Sequence, residues 1–138
     1  RSAGVIAPAE GAYDIVFDST TTKNAGTFTF RLWVDDTAAP TLRLRSRTVR
    51  RGDPIMIAVR DNGSGIDPAT MVATVGGRER TVAVVDGAIR IPTTTIAAGT
   101  VVLRVQVSDH QETRNMENVG PILPNTRVLQ ARVTITKR

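Results

Sequence analysis

Apolar and polar residues alternate with a period of two along most of this chain. This spacing is typical of β-strands that turn one face toward a core and the other toward water. No stretch shows the 3.6-residue period of an amphipathic helix. The positions predicted to face inward include Ile55, Ile57, Val59, Val101, Leu103, Val105, Val107, Leu129, Ala131, Val133 and Ile135. The pattern therefore predicts an all-β protein.

Turn residues divide this pattern into short segments. The predicted strands are Thr41–Arg47, Pro54–Arg60, Met71–Val75, Arg78–Val84, Ala88–Ile91, Thr100–Ser108 and Arg127–Thr136. Gly76-Gly77 and Asp86-Gly87 are dipeptides typical of two-residue hairpin turns. About seven short alternating strands predict an antiparallel β-sandwich. The predicted core is aliphatic, without the buried tryptophan and tyrosine corner of antibody domains.

All the aromatic residues of the chain lie within its first 34 residues. They are Tyr13, Phe17, Phe28, Phe30 and Trp33. Because aromatic side chains normally dominate a core, this distribution predicts two separate units. Alternation over Tyr13–Phe17 and Thr27–Val34 predicts a β-hairpin, which is marginal in water without further strands. We therefore expect residues 1–34 to be the C-terminal hairpin of a preceding domain, residues 35–40 a linker and residues 41–138 the sandwich.

The predicted hairpin carries large apolar side chains on both faces. Phe28, Phe30, Leu32 and Val34 share one face, while Trp33 lies on the other, immediately before the linker. A strand of this kind is usually covered on both sides. We expect Trp33 to lie at the junction with the sandwich, and the exposed apolar face to cause self-association through residues 1–34.

The charged residues indicate that the predicted sandwich is basic. The 138 residues have a formal net charge of +5, and residues 1–34 contribute none of it. Arg43, Arg45 and Arg47 alternate with other residues on the first strand, and Arg50 and Arg51 extend this basic patch. The sandwich lacks aromatic residues for base stacking, so nucleic acid is not an expected partner. An acidic polymer or an acidic neighbouring domain fits the charge better, and a solvated edge strand is the alternative.

The sequence gives little indication of a catalytic or membrane-spanning function. The chain has no cysteine, which excludes disulfides, thiolate catalysis and cysteine-ligated metals. Its single histidine, His110, has no serine in a nucleophile-elbow pattern to activate. No apolar run approaches the length that crosses a bilayer, so no membrane insertion is expected. Arg51-Gly52-Asp53 spells an integrin-binding tripeptide but equally suits an ordinary turn before a strand. No catalytic residue and no organic cofactor are predicted.

Calcium is the most specific ligand that the sequence suggests. Asp61, Asp67 and Asp109 follow predicted strands that end on the same side of a sandwich, and the linker acids Asp35 and Asp36 lie close in sequence to its first strand. Calcium prefers several carboxylates and carbonyls from such loops. The sequence therefore predicts a calcium site at Asp61, Asp67 and Asp109. The alternative is ordinary turn chemistry, in which Asp side chains bond nearby backbone amides.

Several segments resemble the immunoglobulin-like modules that repeat in secreted and surface proteins of bacteria. The linker and first strand, Asp35–Leu42, resemble the start of such modules, and Val59–Pro68 resembles their D-x-GSGID-P loop. Ala98–Asp109 resembles their sixth strand, and Asn115 falls near the Asn that often follows it, although Gln111–Asn115 replaces the usual Gly-Asn dipeptide. The resemblance covers about residues 35–110 and implies an immunoglobulin-like sandwich, but it implies no particular activity.

A second resemblance concerns the flanking segments. Gly26–Asp36 and Asn118–Arg127 resemble C-terminal segments of large bacterial subtilisin-like serine peptidases, although none of the catalytic motifs of that family is present. The long connection from Asp109 to Thr126 contains Val119, Pro121, Ile122, Leu123 and Pro124, which are too apolar for a free linker. We expect them to pack on the sandwich or on a neighbouring domain.

These observations favour a non-catalytic accessory module in an extracellular or surface-located bacterial protein. Such a module would act as a spacer, a stabilising unit or a docking surface for neighbouring domains of the same polypeptide. The alternative is a carbohydrate- or substrate-binding module of an extracellular enzyme. That alternative is disfavoured because sugar-binding platforms normally expose aromatic side chains, and residues 35–138 contain none.

Overall fold

The computed structural model describes most of the predicted sandwich and part of the segment before it. The described residues are 10–14, 16, 18, 21–24, 26–27, 29–34, 36–111 and 124–137. Within them the chain is all-β, apart from one short 3-10 turn at Thr22–Asn24.

Nine strands of the described residues form two sheets. In chain order they are β1 (Thr41–Leu44), β2 (Thr48–Arg50), β3 (Ile55–Arg60), β4 (Ile66–Val75), β5 (Arg78–Glu79), β6 (Ala83–Val85), β7 (Ala88–Ile91), β8 (Gly99–Asp109) and β9 (Thr126–Thr136). The first sheet has the antiparallel order β1-β3-β7-β6. The second has the order β2-β9-β8-β4-β5, in which only β2 and β9 are parallel. The predicted β-sandwich is confirmed.

The two sheets enclose an aliphatic core. Ile55, Ile57, Leu103, Val105 and Val107 are fully buried, in agreement with the period-two pattern. On β9 the alternation also holds, although Leu129 and Ala131 are only partly buried. The core thus depends on inward positions of strands that are far apart in sequence, and the polar positions between them form the outer faces of both sheets.

The chain changes sheet just after one predicted strand and within another, and β2 (Thr48–Arg50), which follows the predicted strand Thr41–Arg47, was not predicted. Thr41–Arg47 pairs with β3 as far as the N–H of Arg45, which donates to Met56 O at 2.9 Å. The chain then crosses, and Arg47 O accepts from the N–H of Thr134 in the other sheet at 2.8 Å. Arg78–Val84 is divided into β5 and β6. Leu42 and Leu44 face inward on β1, residues 45–48 are exposed, and Val49 is the inward residue of β2. Alternation is therefore interrupted at this crossing, and the pattern alone does not show which sheet the next strand joins.

The fourth strand is longer than predicted. The pattern indicated Met71–Val75, whereas β4 begins at Ile66 and pairs with β8 through an irregularity between Asp67 and Val72. An irregularity of this kind disturbs the strict alternation on which the prediction relied.

The predicted hairpin does not appear among the described residues of the N-terminal segment. The described positions between 27 and 34 belong to no strand, and Phe17 and Phe28 lie outside the described residues. A two-stranded hairpin is marginal in water unless further strands pair with it, and the described residues of this segment join neither sheet of the sandwich. Phe30, Leu32 and Val34 are exposed.

The connection between β8 and β9 is described only at its two ends. It begins after Asp109, the last residue of β8, and ends at Thr126, the first residue of β9. Of the apolar residues predicted to pack there, Val119 and Pro121 to Leu123 lie outside the described residues, while Pro124 is half-buried.

Candidate functional site

The densest polar contacts in the described structure lie where residues 33–40 meet one end of the sandwich. That end consists of the loop between β3 and β4, the last residue of β8 and the residues just before β9. We call this set of contacts the junction network. Its side chains belong to Trp33, Asp36, Ser64, Asp109, Gln111 and Asn125.

Asp36 is the centre of the junction network. It is 6% exposed, and its carboxylate accepts from the N–H of Ser64 at 2.6 Å and from the N–H of Ala38 at 3.1 Å. The hydrogen bond from Ser64 lowers the pKa of Asp36 more than burial raises it, and the bond from Ala38 lowers the pKa further. Asp36 is therefore held as a buried carboxylate.

Gly63 leaves the space that this carboxylate fills. A Cβ at position 63 would collide with the carboxylate atoms of Asp36. Real side chains do not make such contacts, so the loop can close over Asp36 only with glycine at this position.

Trp33 and Gln111 connect the end of the N-terminal segment to the end of β8. The indole N–H of Trp33 donates to Gln111 Oε1 at 2.8 Å, and the same oxygen accepts from the N–H of Asp36 at 3.1 Å. Gln111 is buried, so this oxygen has little water to bond with in place of its two donors. Trp33 thus lies at the junction with the sandwich, as its place in the sequence predicted.

Asn125 and Asp109 complete the junction network. The Asn125 side-chain amide donates to Asp36 O at 2.6 Å and to Asp109 Oδ2 at 2.7 Å. Asp109 Oδ1 accepts from the backbone N–H groups of Asn125 and Gln111 at 2.9 and 3.1 Å. Asp109 is 1% exposed, and these bonds compensate for much of the cost of burying its carboxylate.

The carboxylates of Asp36, Asp61 and Asp109 lie close together. One oxygen atom from each lies within 4.8 Å of the others. Calcium–oxygen distances are about 2.3–2.6 Å, so opposite ligands of one ion are about 5 Å apart, a separation compatible with this group. Asp61 Oδ2 also accepts from the N–H groups of Gly63 and Gly65 at 3.0 and 2.7 Å. These are the short-range bonds that Asp commonly makes in turns.

The predicted calcium ligands are only partly brought together. Asp61 and Asp109 lie in the cluster, but the third member is the linker residue Asp36 instead of Asp67. Asp67 accepts from the N–H of Ala69 at 2.9 Å, and its other oxygen lies 4.0 Å from His110 Nδ1. Asp35 lies outside the described residues.

Ser64, His110 and Asp67 are neighbours, but they do not have the geometry of a nucleophile and its base. Ser64 is fully buried, and its hydroxyl accepts from the backbone N–H of His110 at 3.1 Å instead of facing the imidazole. A substrate would have no access to this hydroxyl, and a triad requires the imidazole to face it.

The Arg51-Gly52-Asp53 tripeptide is held within a turn. The Arg51 guanidinium donates to Thr94 O at 3.2 Å, and the Thr93 hydroxyl donates to Asp53 O at 2.7 Å. The N–H of Gly52 donates to that hydroxyl at 2.9 Å. The tripeptide therefore helps to join the start of β3 to the residues after β7.

Comparisons with known proteins identify no family for this chain. No family model matches it, and neither curated proteins nor solved structures show significant similarity to it. In the described residues, no helix has the length and apolar character needed to span a bilayer.

Sequence reasoning located Trp33 and two of the three clustered acids but missed Gln111 and Asn125. Both are polar residues at the ends of a long connection, where polar residues are ordinary. Their one distinguishing signal is that they border the two longest strands, β8 and β9. Their partner Asp36 is more than 70 residues away in sequence, so no local pattern connects them.

Proposed function

We propose that this chain is a non-catalytic accessory module of a multidomain secreted bacterial protein, in which it holds a neighbouring domain at a defined orientation. The single observation that carries this proposal is the junction network, which fastens the segment entering the sandwich at Trp33 and Asp36. An unattached linker would leave the preceding part of the polypeptide free to reorient.

Strand order supports an immunoglobulin-like origin for the module. In immunoglobulin domains, strands A, B, E and D form one sheet, and C, F and G form the other. The order β1-β3-β7-β6 corresponds to A-B-E-D, and β9-β8-β4 corresponds to G-F-C. The resemblance of the flanking segments suggests a subtilisin-like peptidase as the parent protein.

The hydrogen bonds of the junction network explain how the module would restrict a neighbour. Gln111 Oε1 accepts from both Trp33 and Asp36, so one buried side chain fixes two points of the entering segment. Asn125 adds a bond to the backbone of Asp36, and the Arg127 guanidinium donates to Pro40 O at 3.0 Å. Contacts at both ends of residues 33–40 resist bending and twisting of this segment.

Trp33 provides a direct test, because it is the only tryptophan in the chain. Time-resolved fluorescence anisotropy would report whether its indole tumbles with the whole protein or moves independently. We expect slow tumbling in the wild type and a large fast component in Gln111→Ala. Gln130→Ala is the matched control, since Gln130 is exposed on β9 and pairs with Arg104, away from the end of β8 and β9 that forms the junction.

A fast component of equal size in the wild type and in both variants would contradict the proposal. It would show that the entering segment is unattached in solution and that the module does not orient its neighbour. Circular dichroism of the variants would confirm that the sandwich is intact in each case.

A further inference from the structure

The outer face of the four-stranded sheet gathers four exposed arginines from three strands and the residue after β1. They are Arg43, Arg45, Arg60 and Arg90. We call this surface the arginine face. Alternation places these side chains opposite the core positions of β1, β3 and β7, such as Ile57 and Ile89, which are fully buried. Only Arg43 and Arg45 belong to the basic patch that the sequence predicted.

Register fixes how these arginines are arranged. Met56 pairs with Arg90, and the N–H of Arg45 donates to Met56 O, so Met56 lies between the two arginines. Neighbouring strands are about 4.8 Å apart, so the backbones of Arg45 and Arg90 are separated by about 10 Å. Arg43 faces Ala58, which in turn faces Ala88. The arginines therefore lie beside small or apolar side chains, namely those of Met56, Ala58 and Ala88.

The charge of the arginine face is not balanced within the described structure. None of the four arginine side chains forms an ion pair or a hydrogen bond there. No acidic residue occupies a paired position on this face. The acids next to its strands include Asp61, which follows Arg60 and accepts from the N–H groups of Gly63 and Gly65, and Asp86, in the turn between β6 and β7. Such a surface favours an anionic partner electrostatically.

A shallow apolar depression adjoins Arg90. It has a volume of about 340 Å³, and its lining includes Pro54, Ala83, Val85, Arg90 and Pro92. Val85 is 41% exposed. Arginine is enriched and lysine is depleted at protein–protein interfaces.

We propose that the arginine face docks an acidic polypeptide segment that carries apolar side chains. Guanidinium groups bind carboxylates in a bidentate fashion, while the depression accepts apolar groups of the same segment. Nucleic acid fits less well, because the face is a flat sheet without an element to enter a groove and without aromatic residues to stack on bases. This proposal rests on the accessory role proposed above and specifies the chemistry of a partner.

The test uses the full chain and a short fluorescent peptide in which glutamates alternate with alanines and leucines. Fluorescence anisotropy would measure its Kd for three proteins. The first is the wild type, and the second is Arg43→Gln/Arg45→Gln/Arg90→Gln. The third is Arg50→Gln/Arg104→Gln/Arg132→Gln, whose arginines are exposed on the other sheet. Both variants lose the same charge, so only the position of the arginines differs.

We expect the variant of the arginine face to bind the peptide about tenfold more weakly than the wild type, since several exposed ion pairs of modest strength are lost. The control variant should change Kd by less than about threefold, and a peptide with glutamine in place of glutamate should not bind. Raising the salt concentration should weaken wild-type binding.

Three outcomes would overturn the proposal. Equal losses in both variants would show that net charge alone drives binding. No binding of the acidic peptide to the wild type would remove the proposed partner chemistry. Tighter binding of a DNA duplex or of phosphatidylserine vesicles, lost in the arginine-face variant, would assign the surface to a different polyanion. Trp33 anisotropy should be unchanged in the variants, so that a failure here is distinguishable from a failure of the junction.

Discussion

The carboxylate of Asp36 occupies the space in which any residue other than glycine at position 63 would place its Cβ. This fit connects the segment before the sandwich to the loop between β3 and β4, across 26 intervening residues. It also makes the contact testable from both sides, because the loop residue and the linker residue can be changed separately.

Gly63→Ala should destabilise the protein by about 2–3 kcal/mol, because the new methyl group displaces the Asp36 carboxylate from its hydrogen bond with Ser64. Asp36→Ala should cost a similar amount. In the double variant the collision is absent, so its cost should fall short of the sum by about 2 kcal/mol. Urea unfolding followed by circular dichroism would give all three values, and strict additivity would show that the two residues do not interact.

Acid should remove the contribution of Asp36 to stability. Its pKa is lower in the folded protein than in the unfolded chain, chiefly because the N–H of Ser64 stabilises the charged form. The contribution is therefore present at neutral pH and is lost as the pH falls below about 4, where an unfolded aspartate takes up a proton. Melting curves between neutral pH and pH about 3 should show a smaller loss of Tm for Asp36→Asn than for the wild type. Equal losses would assign the acid sensitivity to other carboxylates.

Residues 36–138 should fold without the segment before them, since all nine strands lie within this range. A shorter chain that begins at Thr41 lacks Asp36, and we expect it to be less stable by at least about 2 kcal/mol. Thermal melting of the two truncated chains would measure the difference. A disordered spectrum for residues 36–138 would mean that residues 1–35 contribute an essential part of the fold.

The predicted calcium site is best tested with Asp36 in place of Asp67. If calcium binds the folded state, it should raise Tm. At a calcium concentration ten times Kd, the free energy of unfolding should increase by about 1.4 kcal/mol. Asp61→Asn should abolish the increase, whereas Asp67→Asn should preserve it, because Asp67 lies outside the cluster. Differential scanning calorimetry with and without calcium provides the measurement. The absence of any shift would show that the three acids serve only in the hydrogen bonds of the junction network and of the loop after β3.

Self-association through residues 1–34 stays a prediction, and exposed apolar side chains support it. Val16, Phe30, Leu32 and Val34 are between 63% and 87% exposed. Sedimentation velocity should show a larger species for the full chain than for a chain that begins at residue 35, with the difference increasing with protein concentration. Two monomers would indicate that these apolar side chains need no partner.

Much of the sandwich was predictable from local sequence. Buried positions such as Ile57 and Val105 were evident because a strand with one face in a core must alternate, whatever its partners are. The change of sheet after Arg45 was not evident, since residues 45–48 are all exposed and show no alternation that would indicate the sheet of the next strand. The irregularity in β4 concealed the beginning of that strand in a similar way, because it interrupts the alternation.

The candidate sites likewise combine features that local sequence predicts with features that it does not. The sequence by itself determined the all-β class, the inward-facing residues, the aromatic character of the first segment and the supply of aspartates and arginines. Only the tertiary structure decided that Asp36 joins Asp61 and Asp109, that Gln111 receives Trp33, and that Arg90 completes a face with Arg43. The physical reason is that alternation reports the environment of each residue within its own strand, whereas strand order and register determine which distant residues become neighbours.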